Sequence, residues 1–254
     1  MKSSTDLHWN ARAESVRDDR QVNIMDVFQR ELEYGAFGPS LKGCARLLEV
    51  GCGNGYSTAR LRGMVGQVDA FDYSEQMIAR AKANVGETNN RFFVDNVLAP
   101  SSISTTYEAV LCVRVLINLK NLEEQKLALR NMEGWVEPGG RLLLVEGFSD
   151  GFEELSKMRD RLNLPRVTPA PINYYSTLSD LTEAVSSDFH LEATFHLGGY
   201  DFLTRIVYPS VVGPENVVPN SYFAEKAAQI SAEFNPDAMK GLSRIQGLVL
   251  RRDR

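Results

Sequence analysis

Cysteine and histidine are scarce in this chain of 254 residues, and each scarcity closes off a class of chemistry. Three cysteines (Cys44, Cys52, Cys112) cannot close a disulfide framework, and none sits in a Cys-x-x-Cys pair that would bind metal or exchange thiols. Three widely spaced histidines (His8, His190, His196) offer no zinc cluster, so no metal is expected. No apolar run approaches the ~18 residues of a membrane span. The N-terminal stretch MKSSTDLHWNARAESVRDD has no secretory apolar core. Surplus positive charge is missing too: 28 Lys and Arg against 33 Asp and Glu leave −5, the opposite of a nucleic-acid footprint. Arg12, Arg17 and Arg20 alternate with Glu14, Asp18 and Asp19, the pattern of a solvated helix face. No repeat or low-complexity segment occurs. The expectation is a soluble, cytoplasmic chain with no membrane and no nucleic-acid partner; a homodimer stays open.

What is present is an alternation of short apolar runs with helical patterns. Arg46–Val50 runs into a glycine cluster, and 67–72 ends at Ser74, an N-cap, before Met77, Ile78, Ala81 and Val85 at helical spacing. Residues 91–95, 108–113 and 141–145 read as three further strands. Pro138-Gly139-Gly140 reads as a turn that stops the helix carrying Leu129, Met132 and Trp135. Strands alternating with helices mean βαβ units and a mostly parallel, doubly wound α/β sheet. Three segments fall outside this pattern. Residues 1–40 read as a helical cap, with Val22, Met25, Phe28 and Leu32 at helical intervals. Residues 147–180 are rich in proline and carry Tyr174-Tyr175. Residues 209–243 hold Pro209, Pro214, Pro219 and Pro236 around one amphipathic helix. Insertions at the rim of an open sheet serve either as lids or as core completion.

In such a sheet, ligands bind beyond the carboxyl ends of the strands where strand order reverses. The first strand leads there into Glu49-Val50-Gly51-Cys52-Gly53-Asn54-Gly55. Glycines let the backbone turn sharply and approach a ligand. The register is G-x-G-x-G, with Tyr56 where the dinucleotide fingerprint places glycine, and no P-loop is present. Asp72, ending the second strand, is placed to accept from ribose hydroxyls, and Asp95, ending the third, from an exocyclic amine.

LLEVGCGNGYS (47–57) resembles the first motif of class I S-adenosylmethionine-dependent methyltransferases. Asp72, Asp95 and Glu137-Pro138-Gly139-Gly140 match later features of that family in order and spacing. The resemblance covers residues 45–147 closely and implies one domain with a mostly parallel seven-stranded sheet, S-adenosylmethionine as cofactor and a small-molecule acceptor. It divides the chain into a cap (1–40), a cofactor-binding half (41–147) and a substrate half (148–254). By the same resemblance Glu49 would face the methionine ammonium, and Gly51, Cys52, Gly53 and Gly55 would pass beneath the methionine and ribose. Asp72 would hold both ribose hydroxyls. Tyr73 and Met77 would touch the adenine, although methionine at helical spacing also reads as plain core. Asp95, Asn96 and Val97 would read the adenine edge, and Val113 and Arg114 would flank the methionine end. Arg114 needs an anion, either a ligand carboxylate or a core acid such as Glu49 or Glu146. Trp9 and Arg12 resemble a W-x-x-R-A segment that folds over the cofactor, its arginine toward the carboxylate.

Methyl transfer from a sulfonium is an in-line displacement that needs alignment and water exclusion, and a base only for some acceptors. The fourth strand ends in VRVLIN (113–118), not the N/D-P-P-Y/F sequence of amine-methylating relatives, which speaks against adenine-N6 or glutamine-amide acceptors. Segments 114–125, 158–167 and 204–221 resemble a bacterial group acting on small or sugar-linked molecules. Tyr174, Tyr175, Tyr200, Arg205 and Tyr208 would line the acceptor site, and His196 is the candidate base, each with a plain structural alternative. Oxygen or nitrogen methylation of a small polar metabolite, sugar or natural-product intermediate is the leading reading. The alternatives are a nicotinamide-dependent oxidoreductase and a non-catalytic cofactor-binding module.

Overall fold

The computed structural model describes residues 4–235 and 237–254, so Pro236 lies outside the described residues. In chain order the elements begin with α1 (Ser4–Ser15), α2 (Val27–Phe37), β1 (Arg46–Val50), α3 (Tyr56–Leu61), β2 (Gln67–Asp72), α4 (Glu75–Val85), β3 (Asn90–Val94) and β4 (Tyr107–Val113). They continue with α5 (Leu122–Gly134), β5 (Val136–Gly147), α6 (Ser149–Arg161), α7 (Leu178–Thr182), β6 (Phe189–His196), α8 (Gly198–Phe202), α9 (Tyr208–Val212), α10 (Tyr222–Ser231) and β7 (Ile245–Arg252). The seven strands form one sheet in the order β3-β2-β1-β4-β5-β7-β6. Five are parallel, and β7 is antiparallel to both β5 and β6.

The apolar runs fold this way because both faces of the central strands are covered. Leu47, Val68 and Leu111 point into one core, and Leu48, Phe71 and Val110 into the other. Each buried leucine or valine contributes about 2 kcal/mol of desolvation. On α4 the periodic Met77, Ile78, Ala81 and Val85 are all buried, and Ser74 Oγ accepts from the Met77 amide at 3.2 Å as the N-cap. Chain order reverses between β1 and β4, so a crevice opens at their carboxyl ends.

Two local expectations are corrected. Residues 22–25 are not helical despite their spacing, because Asp26 caps α2 by accepting from the Gln29 amide at 3.0 Å. Pro138-Gly139-Gly140 is no turn before a strand: it lies inside the twelve-residue β5, with Gly139 at φ +77°.

Candidate active site

The crevice is a cavity of about 670 Å³. Its floor is the loop after β1, where Gly51 and Gly53 hold φ of +70° and +55°, conformations that disfavour any side chain. A Cβ at Gly51 would also stand 2.3 Å from Val115, and one at Gly53 2.2 Å from Asn23, so both glycines are required by packing as well as by the turn. Asp72 grips this loop: its carboxylate accepts from the Gly53 amide at 3.0 Å and the Ser74 amide at 2.9 Å. Burial pushes Asp72 up to about 6, against the pull of those amides. Glu49, 3% exposed, accepts from the Thr58 hydroxyl at 2.5 Å, and burial pushes it up to about 7.

The cavity wall also carries Trp9, Arg12, Tyr73, Met77, Asp95, Asn96, Val97, Val113 and Arg114, as the sequence anticipates by position. Their bonds differ from expectation at three places. The Asp95 carboxylate accepts from the amides of Asn96, Ser101 and Ser102 at 2.8–3.0 Å, so it organises the loop 95–102 whose backbone borders the cavity. The Arg12 guanidinium donates to the carbonyls of Gln21 and Val22 rather than standing free for a ligand carboxylate. Arg114, at φ +55°, pairs with neither Glu49 nor Glu146: its Nη2 donates to Glu33 of α2 at 2.5 Å. Glu33 is held up from the ordinary carboxylate range by burial, although Arg114 and Gln29 draw it down. Glu146 instead collects the amides of Val115, Leu116 and Ile117 at 2.9–3.3 Å and so fixes the turn after β4.

α1 lies over the Asp72 end of the cavity. Tyr73 Oη donates to the Thr5 carbonyl at 3.2 Å, Ser74 Oγ to Asn10 at 2.6 Å, and Trp9 Nε1 to Asn118 at 3.2 Å. From the 147–180 segment, Phe152, Ile172, Asn173 and Tyr175 reach the same cavity, joined by Arg205.

Other expected site residues are placed elsewhere. Cys52 is buried in the core beneath the loop, and Gly55 packs that loop against Ala81 and Val85 of α4. The Tyr174 ring is exposed; only its backbone is used, the amide donating to the Ile117 carbonyl at 2.8 Å. Tyr200 is buried with its hydroxyl on Asp26 at 2.8 Å, and Tyr208 stacks on Phe223 with centroids 4.3 Å apart. His196 ends β6, the outermost strand, and accepts from the Gly198 amide, away from the cavity. The 209–243 segment supports the site from behind: Asn220 binds the Val27 amide and the Met25 carbonyl, and α10 packs on α2.

Sequence reasoning missed Arg30. It lies on α2, 5% exposed, with its guanidinium 4.5 Å from the centre of the Tyr56 ring, immediately after the glycine loop. It donates no side-chain hydrogen bond to any described residue, and Nη1 is buried without an acceptor. Burial lowers it to about 10. No local signal marks it, since an arginine on an amphipathic helix ordinarily faces solvent.

A family profile described as "Methyltransferase domain" matches residues 47–140, the stretch from β1 into β5 that supplies the loop, Asp72 and the turn after β4. The chain thus carries a methyltransferase domain. The methyltransferase is 25% identical over 186 residues to the malonyl-[acyl-carrier protein] O-methyltransferase of Bacillus anthracis, covering 70% of this chain and 68% of that one. It is 30% identical over 149 residues to the ubiquinone/menaquinone biosynthesis C-methyltransferase of Escherichia fergusonii, covering 55% of this chain and 58% of that one. Among solved structures, the N-methyltransferase NodS of Bradyrhizobium japonicum with S-adenosyl-L-homocysteine superposes over 99% of both chains, with TM-score 0.62 and 13% identity. The magnesium protoporphyrin IX methyltransferase of Synechocystis, also with that product bound, covers 98% of this chain and 95% of its own at TM-score 0.57 and 16% identity. These two likenesses are of fold. Among the described residues, no helix of the methyltransferase is long and apolar enough to cross a membrane, and no cluster suits a metal ion.

Proposed function

We propose that the methyltransferase moves a methyl group from S-adenosylmethionine to an oxygen or nitrogen of a small polar molecule. The observation that carries this reading is the continuity of one cavity from Glu49, Asp72 and the loop 95–98 to Phe152, Asn173, Tyr175 and Arg205. The donor set suits the cofactor. A zwitterionic amino-acid end needs an anion and a cation, and the wall holds Glu49 and Arg30, each buried and neither paired with an opposite charge among the described residues. In this reading Glu49 takes the ammonium, Arg30 rather than Arg12 the carboxylate, and Asp72 the ribose hydroxyls. The bound cofactor supplies an activated methyl on sulfur.

The chain's own part is alignment and exclusion of water. α1 shields the cofactor end, 147–180 walls the acceptor end, and 209–243 braces α2 rather than serving as a lid. The halves 41–147 and 148–254 then divide cofactor and acceptor duties within one domain, 1–254, under the 1–40 cap. Relatives are named for O-, C- and N-methylation, so kinship does not choose the receiving atom.

Arg30→Met is expected to weaken S-adenosyl-L-homocysteine at least tenfold while leaving 5′-methylthioadenosine, which lacks the amino-acid end, within about twofold, because a charge-assisted hydrogen bond contributes roughly 1.5–3 kcal/mol. Equal losses for both ligands in calorimetry would remove Arg30 from this role. The function itself is tested with methyl-labelled S-adenosylmethionine and a cell extract fractionated by size. Label is expected in the metabolite fraction, and label confined to macromolecules contradicts a small acceptor.

A further inference from the structure

The far chamber of the cavity holds two arginines, one of them incompletely used. Arg205 and Arg244 both line it, and repulsion from Arg244 is the main influence lowering Arg205. The Arg244 charge is already paired: Nε and Nη2 donate to Asp201 at 2.9 and 2.6 Å, and Nη2 also to Gln29 Oε1 at 3.2 Å. Arg205 donates through Nη2 to Asp26 at 3.1 Å, while its Nε is buried without an acceptor.

The acids beside them are each already paired. Asp26 also accepts from the Tyr200 hydroxyl at 2.8 Å and the Gln29 amide at 3.0 Å. Asp201 takes the amide of Arg244 at 2.8 Å as well as its side chain, and Glu33 holds Arg114. A buried N–H without an acceptor is costly unless a ligand supplies one.

Two further features sit on the same chamber. Residues Leu203–Val207 form a π turn, a local insertion frequently found at functional sites, and it carries Arg205. Asn173 donates to the Tyr175 hydroxyl at 2.9 Å, and its own Oδ1 is buried with no donor. The wall thus presents an oxyanion's partner and a hydrogen-bond acceptor together. The cofactor's amino-acid end has a single carboxylate, which the reading above gives to Arg30, so the remaining N–H of Arg205 is left for a second.

Resting on the function proposed above, we propose that the acceptor is a small carboxylic acid, its carboxylate seated on Arg205 and a neighbouring N–H or O–H of the same molecule donating to Asn173. The test uses protein saturated with S-adenosyl-L-homocysteine and matched probe pairs: phenylacetate, 4-hydroxybenzoate and glutarate, each against its primary amide. By saturation-transfer NMR, the acids are expected to bind at least tenfold more tightly than their amides.

Arg205→Gln is expected to abolish that preference and Arg205→Lys to retain part of it. Because Arg205→Gln strands Asp26, the double variant Arg205→Gln/Asp26→Asn is measured as well, with homocysteine-product affinity reporting an intact fold. It too should lose the preference. Amides binding as well as acids, no pair showing a preference, or a preference that survives in the double variant would overturn the proposal. Failure of the wild-type protein to bind the cofactor product is a separate result, and it strikes the cofactor reading instead.

Discussion

Alanine in place of Asp72 is expected to cost about 2–4 kcal/mol of cofactor binding, ~30-fold or more in affinity, because two charge-assisted hydrogen bonds to ribose hydroxyls are lost together. The loss has a second source. Asp72 also accepts from the Gly53 and Ser74 amides, so alanine leaves two donors of the binding loop without their acceptor. Asp72→Asn separates the two contributions, since a side-chain oxygen can still accept from one amide while the charge is gone. Calorimetry should therefore rank wild type above Asp72→Asn and Asp72→Asn above Asp72→Ala. Equal affinity in all three would show that Asp72 serves the loop's fold and not the ligand.

Arg114→Met is expected to lower folding stability by about 3 kcal/mol in urea titrations, because it strands the buried Glu33 carboxylate. The pH dependence has a definite sign. Burial already holds Glu33 above the ordinary carboxylate range with Arg114 present, and removing that cation raises it further. The folded variant then binds more protons than the unfolded chain above pH ~4.5, so its stability falls as pH rises from there toward the folded pKa. Below that window Glu33 is protonated in both states and the penalty from its stranded charge is absent. Arg114→Met/Glu33→Gln should recover most of the loss. If Arg114→Met keeps its stability and loses ligand affinity alone, the arginine serves a ligand and the ion pair is secondary.

Where the chemistry is local in sequence, the chain is legible. The glycine register after β1, the acid ending β2 and the N-cap at Ser74 each depend on neighbours a few residues away, and each stands where its pattern implies. Alternating apolar runs likewise foretell a doubly wound sheet, because both faces of every central strand need covering.

What escapes are pairings across the fold. Arg114 and Glu33 lie 81 residues apart, and nothing in VRVLIN indicates that α2 would deliver the acid. Arg30 fails to announce itself because it sits among Gln29, Glu31 and Glu33 on its helix, and only the docking of α2 against Tyr56 turns that side chain inward. The tyrosines mislead for the opposite reason. Tyr200 and Tyr208 have aromatic bulk enough for an acceptor wall, yet the helical path through the π turn directs one onto Asp26 and the other onto Phe223. Residues 22–25 keep helical spacing but give way to the cap at Asp26, a local hydrogen bond outweighing periodicity.

The most direct measurement is calorimetric titration of the wild-type protein with S-adenosyl-L-homocysteine at pH 6.5 in two buffers of different ionisation enthalpy. Without ligand, burial holds Glu49 up to about 7 and Asp72 up to about 6, so at this pH a fraction of each is protonated. An ammonium beside Glu49 and hydroxyls donating to Asp72 favour the charged forms and draw both down. Micromolar binding with net proton release is expected, with an affinity that rises between pH 5.5 and 7.5. Binding with no proton release, or no binding at all, would contradict the assignment of these two carboxylates to the cofactor.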